Sequence, residues 1–146
     1  TNPQIIDKIA KKYGSQSISI SIEYKFSNNK FDLYKCYGRE KTNVNIKSWI
    51  KELISRGAGE IIFNSIDKDG TGKGFDENIL NLLKNTQIDI PVIVTGGFGN
   101  LKHLKILKKY EKLVQGICIS KSFHYNEVEI AEVKKHLNKY KFSEKK

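Results

Sequence analysis

Four short apolar segments, each followed by a stretch with helical periodicity, predict an α/β protein built from parallel βα units. Strand and helix segments alternate along the chain, and the strands recur at intervals of about 25 to 45 residues. This serial order is compatible with a doubly wound sheet or with a (β/α) barrel. A complete eight-unit barrel takes about 200 to 250 residues, so the 146 residues of this chain would form half of one.

The first part of the chain predicts a helix, a strand and a hairpin. Asn2 can cap a helix in which Pro3 takes the first position, and apolar residues follow at helical spacing. Isoleucine and serine then alternate over residues 16–23, which is typical of a barrel strand with one apolar and one small polar face. Residues 24–42 hold aromatic residues between turn-forming breaks, which indicates a short hairpin excursion.

The rest of the chain alternates between capped helices and short strands. Asn45 precedes the clearest apolar stripe, which runs over residues 46–54 at helical spacing. Asp76 and Asn100 stand at the starts of the next two predicted helices, where their side chains can cap the free N–H groups. The remaining predicted elements are strands over 60–64, 91–94 and 116–119 and a closing helix over 129–137.

Composition argues against membrane and nucleic-acid partners. No apolar run approaches the roughly 20 residues that span a bilayer, and the first residues lack the apolar block of a signal peptide. The net charge is +10, but all basic residues except Arg39 and Arg56 are lysines spread over every predicted helix, which favours a solvated surface. Cys36 and Cys118 lack ligand spacing, so we expect reduced thiols in a cytoplasmic protein that holds no metal and no other cofactor.

A glycine-rich loop follows the strand at 60–64. It begins like a calcium-binding loop, because Asp67 and Asp69 take the first two ligand positions. The twelfth position is Asn78, where a bidentate glutamate is needed, so calcium is not predicted. The alternative is a turn in which the aspartates accept hydrogen bonds from backbone N–H groups.

A second glycine motif, TGGFGN at 95–100, joins a strand to a helix. Glycines at such a junction let backbone N–H groups approach an anion, so Gly96 and Gly97 are candidates for a phosphate site, with a plain tight turn as the alternative. Ser120 and Lys121, at the next strand end, add a hydroxyl group and an ammonium group at the same height. Loops after two consecutive strands form the usual phosphate site of a (β/α) barrel.

Taken together, these motifs resemble the family of the cyclase subunit of imidazole glycerol phosphate synthase, over nearly the whole chain. The segments that carry the resemblance are GAGEII at 57–62, SIDKDGT at 65–71, GFD at 74–76, GGFG at 96–99 and SFH at 122–124. The resemblance implies a (β/α)8 barrel of the TIM type made of two similar halves. Residues 1–146 are expected to be the C-terminal half, and the lack of any methionine fits a fragment or a processed product.

The resemblance also implies an activity. Members of the family take ammonia from a glutaminase partner and use it to cleave and cyclise a phosphoribulosyl aminoimidazole carboxamide, which carries two phosphates, into imidazole glycerol phosphate. We expect the fragment alone to be inactive. Its open strand edges, near residues 17–23 and 115–119, predict that it self-associates.

Position by position, the resemblance assigns roles to ten residues. Glu23 matches the catalytic aspartate of the fifth strand, whose partner on the first strand is expected to lie outside this chain. Asp69 matches the substrate rim, and Glu60 matches a charged ring that admits ammonia, with a salt-bridged carboxylate as the alternative. Glu23 and Asp69 are the two acids predicted at C-terminal strand ends beside the phosphate site, so both are candidate catalytic residues. Because the family has aspartate where Glu23 stands, an aspartate there is expected to keep or raise activity. The implied phosphate-binding and substrate-binding residues are Asn64, Gly70, Thr71, Gly96, Gly97, Ser120 and Lys121.

Three departures from the family pattern keep other functions open. They are glutamate at 23 for aspartate, asparagine at 64 for threonine and lysine at 121 for serine. One alternative is a cyclase-like subunit of an ammonia-dependent sugar amidotransferase in surface-polysaccharide synthesis. The other is a half-barrel that binds phosphate without catalysis.

Overall fold

A computed structural model describes residues 2–139, so Thr1 and residues 140–146 of the predicted domain lie outside the described residues. The chain forms α1 (Gln4–Tyr13), a 3₁₀ turn (Ser15–Ser17), β1 (Ser19–Ser27), β2 (Lys30–Lys35), β3 (Glu40–Lys41), α2 (Ile46–Ser55), β4 (Glu60–Ser65), α3 (Glu77–Lys84), β5 (Val92–Thr95), a 3₁₀ helix (Leu101–Tyr110), β6 (Gly116–Cys118), α4 (Lys121–His124) and α5 (Ile130–Lys139). Within this part of the chain, no helix is long and apolar enough to cross a membrane.

One sheet contains every strand of the described chain, in the order β3-β2-β1-β4-β5-β6. Strands β1, β4, β5 and β6 are parallel neighbours, as predicted from the alternation of strands and helices. Strands β2 and β3 add antiparallel to the outer side of β1 and form the predicted hairpin excursion. The four parallel strands and their helices make a partial (β/α) barrel.

Alternation along each strand gives the sheet two different faces. Ile22, Phe63 and Val94 lie on one face, each at most 3% exposed, where they pack into a core with the helices. Ser19 and Ser21 point to the other face and are exposed. The predicted division of the strand at 16–23 into an apolar and a small polar face is confirmed, although β1 starts at Ser19 and runs to Ser27.

Side-chain caps begin three helical elements, as predicted. Asn45 Oδ1 accepts hydrogen bonds from the N–H groups of Lys47 and Ser48, at 2.9 and 3.3 Å. Asp76 Oδ1 and Asn100 Oδ1 each accept one from the residue two positions later, at 3.0 Å. Each cap satisfies N–H groups that have no partner in the first turn of a helix.

The helix predicted after Asn100 is a 3₁₀ helix of 10 residues, not an α-helix. Leu104, Leu107 and Tyr110 are buried, and their spacing of three residues matches a helix with three residues per turn. An α-helix would rotate the same side chains progressively away from the core. The strict three-residue period therefore favours the tighter helix.

The first open edge predicted from the sequence, over residues 17–23, is partly covered by β2. Strand β2 pairs with β1 from Ser27 to Glu23, so the prediction of an unpaired edge over 17–23 is wrong at Glu23. The hairpin covers it because the two-residue turn at 28–29, with φ values of 50° and 57°, folds the chain back directly onto β1. In the described chain β6 pairs with β5 alone, so the second predicted edge is present.

Candidate functional site

A row of polar side chains crosses the open face of the sheet. Glu23 pairs in register with Asn64, Asn64 with Thr95, and Thr95 with Cys118, on four adjacent parallel strands. Paired residues point to the same face, and neighbouring strands lie about 4.8 Å apart, so the row spans about 14 Å. Thr95 and Cys118 join the predicted Glu23 and Asn64 through strand register, which sequence reasoning did not use.

The side chains of this row are largely free of protein partners. Glu23 is half-buried, and its Oε2 accepts a hydrogen bond from the Gly38 N–H at 2.8 Å. The side chains of Asn64 and Thr95 are half-buried too, and among residues 2–139 neither forms a hydrogen bond. A carboxylate, an amide and a hydroxyl group are therefore available together on one face.

Two glycine loops pack against each other at the C-terminal ends of β4 and β5. The Gly74 N–H donates to the Gly97 carbonyl at 2.7 Å, and a Cβ at Gly97 would collide with the Gly74 carbonyl oxygen. A Cβ at Gly99 would collide with Gly72 in the same way. Close packing against the neighbouring loop is therefore a reason for glycine at 97 that the sequence did not reveal, and the predicted anion site at this glycine stays a prediction.

His103 holds the second glycine loop in place. Its Nδ1 accepts a hydrogen bond from the Gly99 N–H at 3.1 Å, and its ring packs edge-on against Phe98. The sequence gives no direct indication of this role, because His103 lies on a lysine-rich helix. Its position four residues after Gly99, at the start of that helix, is the local signal that could have indicated the contact.

The loop after β4 brings Asp69 beside Gly96. The Asp69 N–H donates to the Ser65 carbonyl at 2.9 Å and lies 3.4 Å from the Cβ position of Gly96, while its side chain is exposed. Asp67 Oδ2 accepts a hydrogen bond from the Phe26 N–H at 3.0 Å, as predicted for an aspartate that satisfies the backbone. The Thr71 hydroxyl donates to the Lys68 carbonyl at 2.7 Å, so it is engaged within its own loop.

Lys121 reaches this loop from the next strand end. It begins α4, and its Nζ lies 3.6 Å from the Cβ position of Gly72 and 3.8 Å from Glu127 Oε1. Ser120, directly before it, is exposed. The structure thus brings Lys121 and the two glycine loops together at one end of the sheet, with Asp69 and Gly70 on the first of those loops.

Glu60 lies at the opposite end of the same face, where β4 starts. It pairs in register with Ser19 and, within residues 2–139, forms no ion pair, which disfavours the salt-bridged alternative. Partial burial, and then the negative charge of Glu60, raise the pKa of the Cys118 thiol. This effect agrees with the strand register, which places Glu60 and Cys118 on the same face of the sheet.

A buried polar cluster supports the candidate site from the covered face. Tyr24, Ser65 and Asp76 are each at most 5% exposed. Burial, and then the Asp76 carboxylate, strongly raise the pKa of the Tyr24 hydroxyl, so it stays protonated. In the described part of the chain, no group of three or more acidic, histidine or cysteine side chains is arranged to hold a metal ion.

Comparison with known proteins identifies the family of this chain. Residues 1–129 match the family described as histidine biosynthesis protein. The chain belongs to this family. Membership of the histidine biosynthesis protein family agrees with the partial (β/α) barrel and with the glycine loops at the C-terminal strand ends.

Three relatives of this chain carry the same name. The chain is 39% identical over 141 residues to the imidazole glycerol phosphate synthase subunit HisF of Streptococcus mutans, which covers 95% of this chain and 55% of the relative. It is 39% identical over 142 residues to HisF of Bacillus subtilis, covering 94% and 55%. For HisF of Pyrobaculum aerophilum the identity is 36% over 139 residues, covering 93% and 53%. The chain spans about half the length of these curated relatives, and their names do not favour a polysaccharide amidotransferase.

Proposed function

We propose that residues 1–146 are the C-terminal half of a (β/α)8 barrel, and that the intact protein is the cyclase subunit of an imidazole glycerol phosphate synthase. It acts on a bis-phosphorylated ribulosyl aminoimidazole carboxamide with ammonia from a glutaminase subunit, and the described half alone is inactive. The observation that carries this proposal is the in-register row of Glu23, Asn64 and Thr95 beside two glycine loops. The 39% identity to HisF proteins supports the same activity.

The two carboxylates of the candidate site divide the proton transfers. Addition of ammonia to a carbonyl carbon requires a base that takes a proton from nitrogen and an acid that protonates the departing oxygen. Glu23, on β1, and Asp69, on the loop after β4, fill these roles. Asn64 and Thr95, which lie between Glu23 and Cys118 in the row, orient the substrate together with Gly70 and Thr71 at the rim.

One phosphate of the substrate binds at the C-terminal ends of β5 and β6. Lys121 supplies the charge, and Gly96, Gly97 and Ser120 supply backbone and hydroxyl groups. Support comes from the position of Lys121, whose Nζ lies 3.6 Å from the Cβ position of Gly72 and therefore close to the two packed glycine loops. The tight packing at Gly97 gives the site a fixed backbone, which lowers the entropy lost when an anion binds.

Ammonia enters from the opposite end of the face, past Glu60. The direction of the parallel strands supports this route, because Glu60 begins β4 whereas the phosphate loops follow the strand ends. A glutaminase partner docked at the Glu60 end would deliver ammonia along the barrel interior to Glu23. The exposed free thiols of Cys36 and Cys118 support a cytoplasmic location.

The half-barrel assignment predicts self-association of the isolated chain. Its open face carries partly buried apolar residues such as Ile62 and Ile93, and β6 has a free edge among residues 2–139. Two copies can cover these surfaces for each other, with or without further aggregation. Light scattering at micromolar concentration measures this directly, and a monodisperse monomer would contradict it.

The catalytic assignment is tested with Glu23→Gln in the intact protein, assayed with ammonium and the phosphoribulosyl substrate. We expect turnover to fall about 100-fold or more at nearly unchanged substrate affinity, because the amide cannot exchange a proton. Asp32→Asn is the matched control, because Asp32 is a carboxylate of the same hairpin that binds Lys41 instead. Full turnover in Glu23→Gln would remove the catalytic assignment, and saturable binding without turnover in the unmodified protein would favour the non-catalytic alternative.

A further inference from the structure

The turn between β2 and β3 contacts the proposed acid–base residue. Glu23 Oε2 accepts the Gly38 N–H at 2.8 Å, and this hydrogen bond is partly buried. Within residues 2–139 no other group donates a hydrogen bond to this carboxylate, so Oε1 has no protein partner there. One carboxylate oxygen is therefore fixed by the backbone, and the other is available to a ligand.

The turn has an unusual backbone that presents this N–H group. Cys36, Tyr37 and Gly38 have φ values of 54°, 60° and 75°, so three consecutive residues adopt the left-handed conformation. Residues other than glycine enter this region rarely, and such outliers cluster at functional sites, where the surrounding structure holds them. The Arg39 N–H donates to the Lys35 carbonyl at 3.2 Å and closes the turn.

The other side of the turn rests on the loop after β4. A Cβ at Gly38 would lie 3.1 Å from Ile66 Cδ1, closer than ordinary van der Waals contact, so an alanine here would require Ile66 or the turn to shift by a few tenths of an ångström. Gly38 thus lies between the Ile66 side chain and the Glu23 carboxylate. Any displacement of the turn moves the N–H group that holds Glu23.

We infer that Gly38 is a positioning residue for Glu23, and that the turn at 36–38 requires glutamate at position 23. The inference rests on the proposed function. An aspartate would place its carboxylate about 1.5 Å closer to the backbone, the length of one C–C bond. The distance to the Gly38 N–H would then exceed the about 3.2 Å that a hydrogen bond allows. This geometry accounts for glutamate where the family pattern has aspartate.

The first arm of the test compares Glu23→Asp with Glu23→Gln in the intact protein, by kcat and KM with ammonium and the phosphoribulosyl substrate. Glu23→Asp keeps a carboxylate but loses the Gly38 contact, so kcat should fall on the order of 100-fold while KM changes little. Glu23→Gln keeps an oxygen that can accept from Gly38, but it cannot transfer protons. Resemblance to the family alone predicts the opposite for aspartate, full or increased activity.

The second arm displaces the turn at 36–38 with one substitution and removes the steric conflict with a second. Gly38→Ala should lower kcat roughly 10-fold, because displacement of a catalytic group by a fraction of 1 Å is costly. Ile66→Val, which removes Cδ1, should restore most of that loss in the double variant and change little alone. Gly14→Ala is the control, because Gly14 also has a positive φ, 84°, but its nearest neighbours are atoms of the flexible Gln16 side chain.

The outcomes separate this inference from the proposed function. Full kcat in Glu23→Asp, or a loss in Gly38→Ala that Ile66→Val does not relieve, would overturn the positioning role while an inactive Glu23→Gln upholds the catalytic one. Full kcat in Glu23→Gln would overturn both. If Gly38→Ala does not fold, the first arm decides alone.

Discussion

The two faces of the sheet are built on opposite principles. On the covered face, Phe63 and Val92 are fully buried in an apolar core beneath the helices. On the open face, their strand neighbours Ile62 and Ile93 are half-buried, and a polar row ends in the exposed Cys118. One strand thus carries a completed core on one side and, on the other, a surface that the described residues leave incomplete.

Within each strand, the residues that stabilise the core therefore alternate with the residues that face the candidate site. Residues 61, 63 and 65 of β4 are buried, whereas residues 60, 62 and 64 face the open side. Because side chains alternate between faces, a substitution can affect the core without touching the candidate site, or the reverse. Adjacent residues therefore serve as matched controls for each other.

The largest expected effect comes from the covered face. Phe63→Ala should lower the free energy of unfolding of the isolated chain by about 3 to 5 kcal/mol, because it leaves a cavity in a closed core. Ile62→Ala, one residue away, should cost less than about 2 kcal/mol, because its side chain is already half exposed. Urea unfolding at one fixed protein concentration measures both. Equal losses would contradict the distinction between the faces.

The next effect tests how the two glycine loops are joined. Gly97 and Gly70 have similar positive φ values, 97° and 69°, but only Gly97 has a backbone oxygen in the path of a Cβ. Both alanine variants should lose about 1 to 2 kcal/mol for the left-handed conformation. Gly97→Ala should lose about 1 to 3 kcal/mol more, from overpacking against Gly74. Equal melting temperatures for the two variants would show that the loops separate without cost.

Sequence reasoning succeeded where the signal was local. The caps at Asn45, Asp76 and Asn100 and the alternation in β1 depend on residues a few positions apart, and the structure confirms them. The packing of Gly97 onto Gly74 depends on two loops meeting, so the motif revealed the glycine but not its neighbour. The contact between Glu23 and Gly38 was not predictable at all, because it depends on the turn at 36–38.

Phosphate binding at the C-terminal strand ends should depend on the positive charge of Lys121. Lys121→Ala in the intact protein should weaken binding of the phosphorylated substrate by about 1 to 2 kcal/mol, the scale of one charge-assisted hydrogen bond. Isothermal titration calorimetry measures the affinity. Lys102→Ala removes the same charge from an exposed position on the 3₁₀ helix and should leave it unchanged. If both variants bind equally, Lys121 is not part of the site.

The smallest expected effect probes the open face without any substrate. Nearby negative charge disfavours a thiolate, and Glu60 contributes in this way, after burial, to the raised pKa of Cys118. Glu60→Gln should therefore lower that pKa, increase the thiolate fraction at pH 8 and speed alkylation of Cys118 by iodoacetamide. Mass spectrometry of the isolated chain follows Cys118 and Cys36 separately, and Cys36 should react at an unchanged rate.

Glu77→Gln, on the helix-covered side, is the control for loss of charge. An unchanged Cys118 rate in Glu60→Gln would mean that the charge of Glu60 does not reach Cys118 across the open face, which would weaken the support for an ammonia route past Glu60.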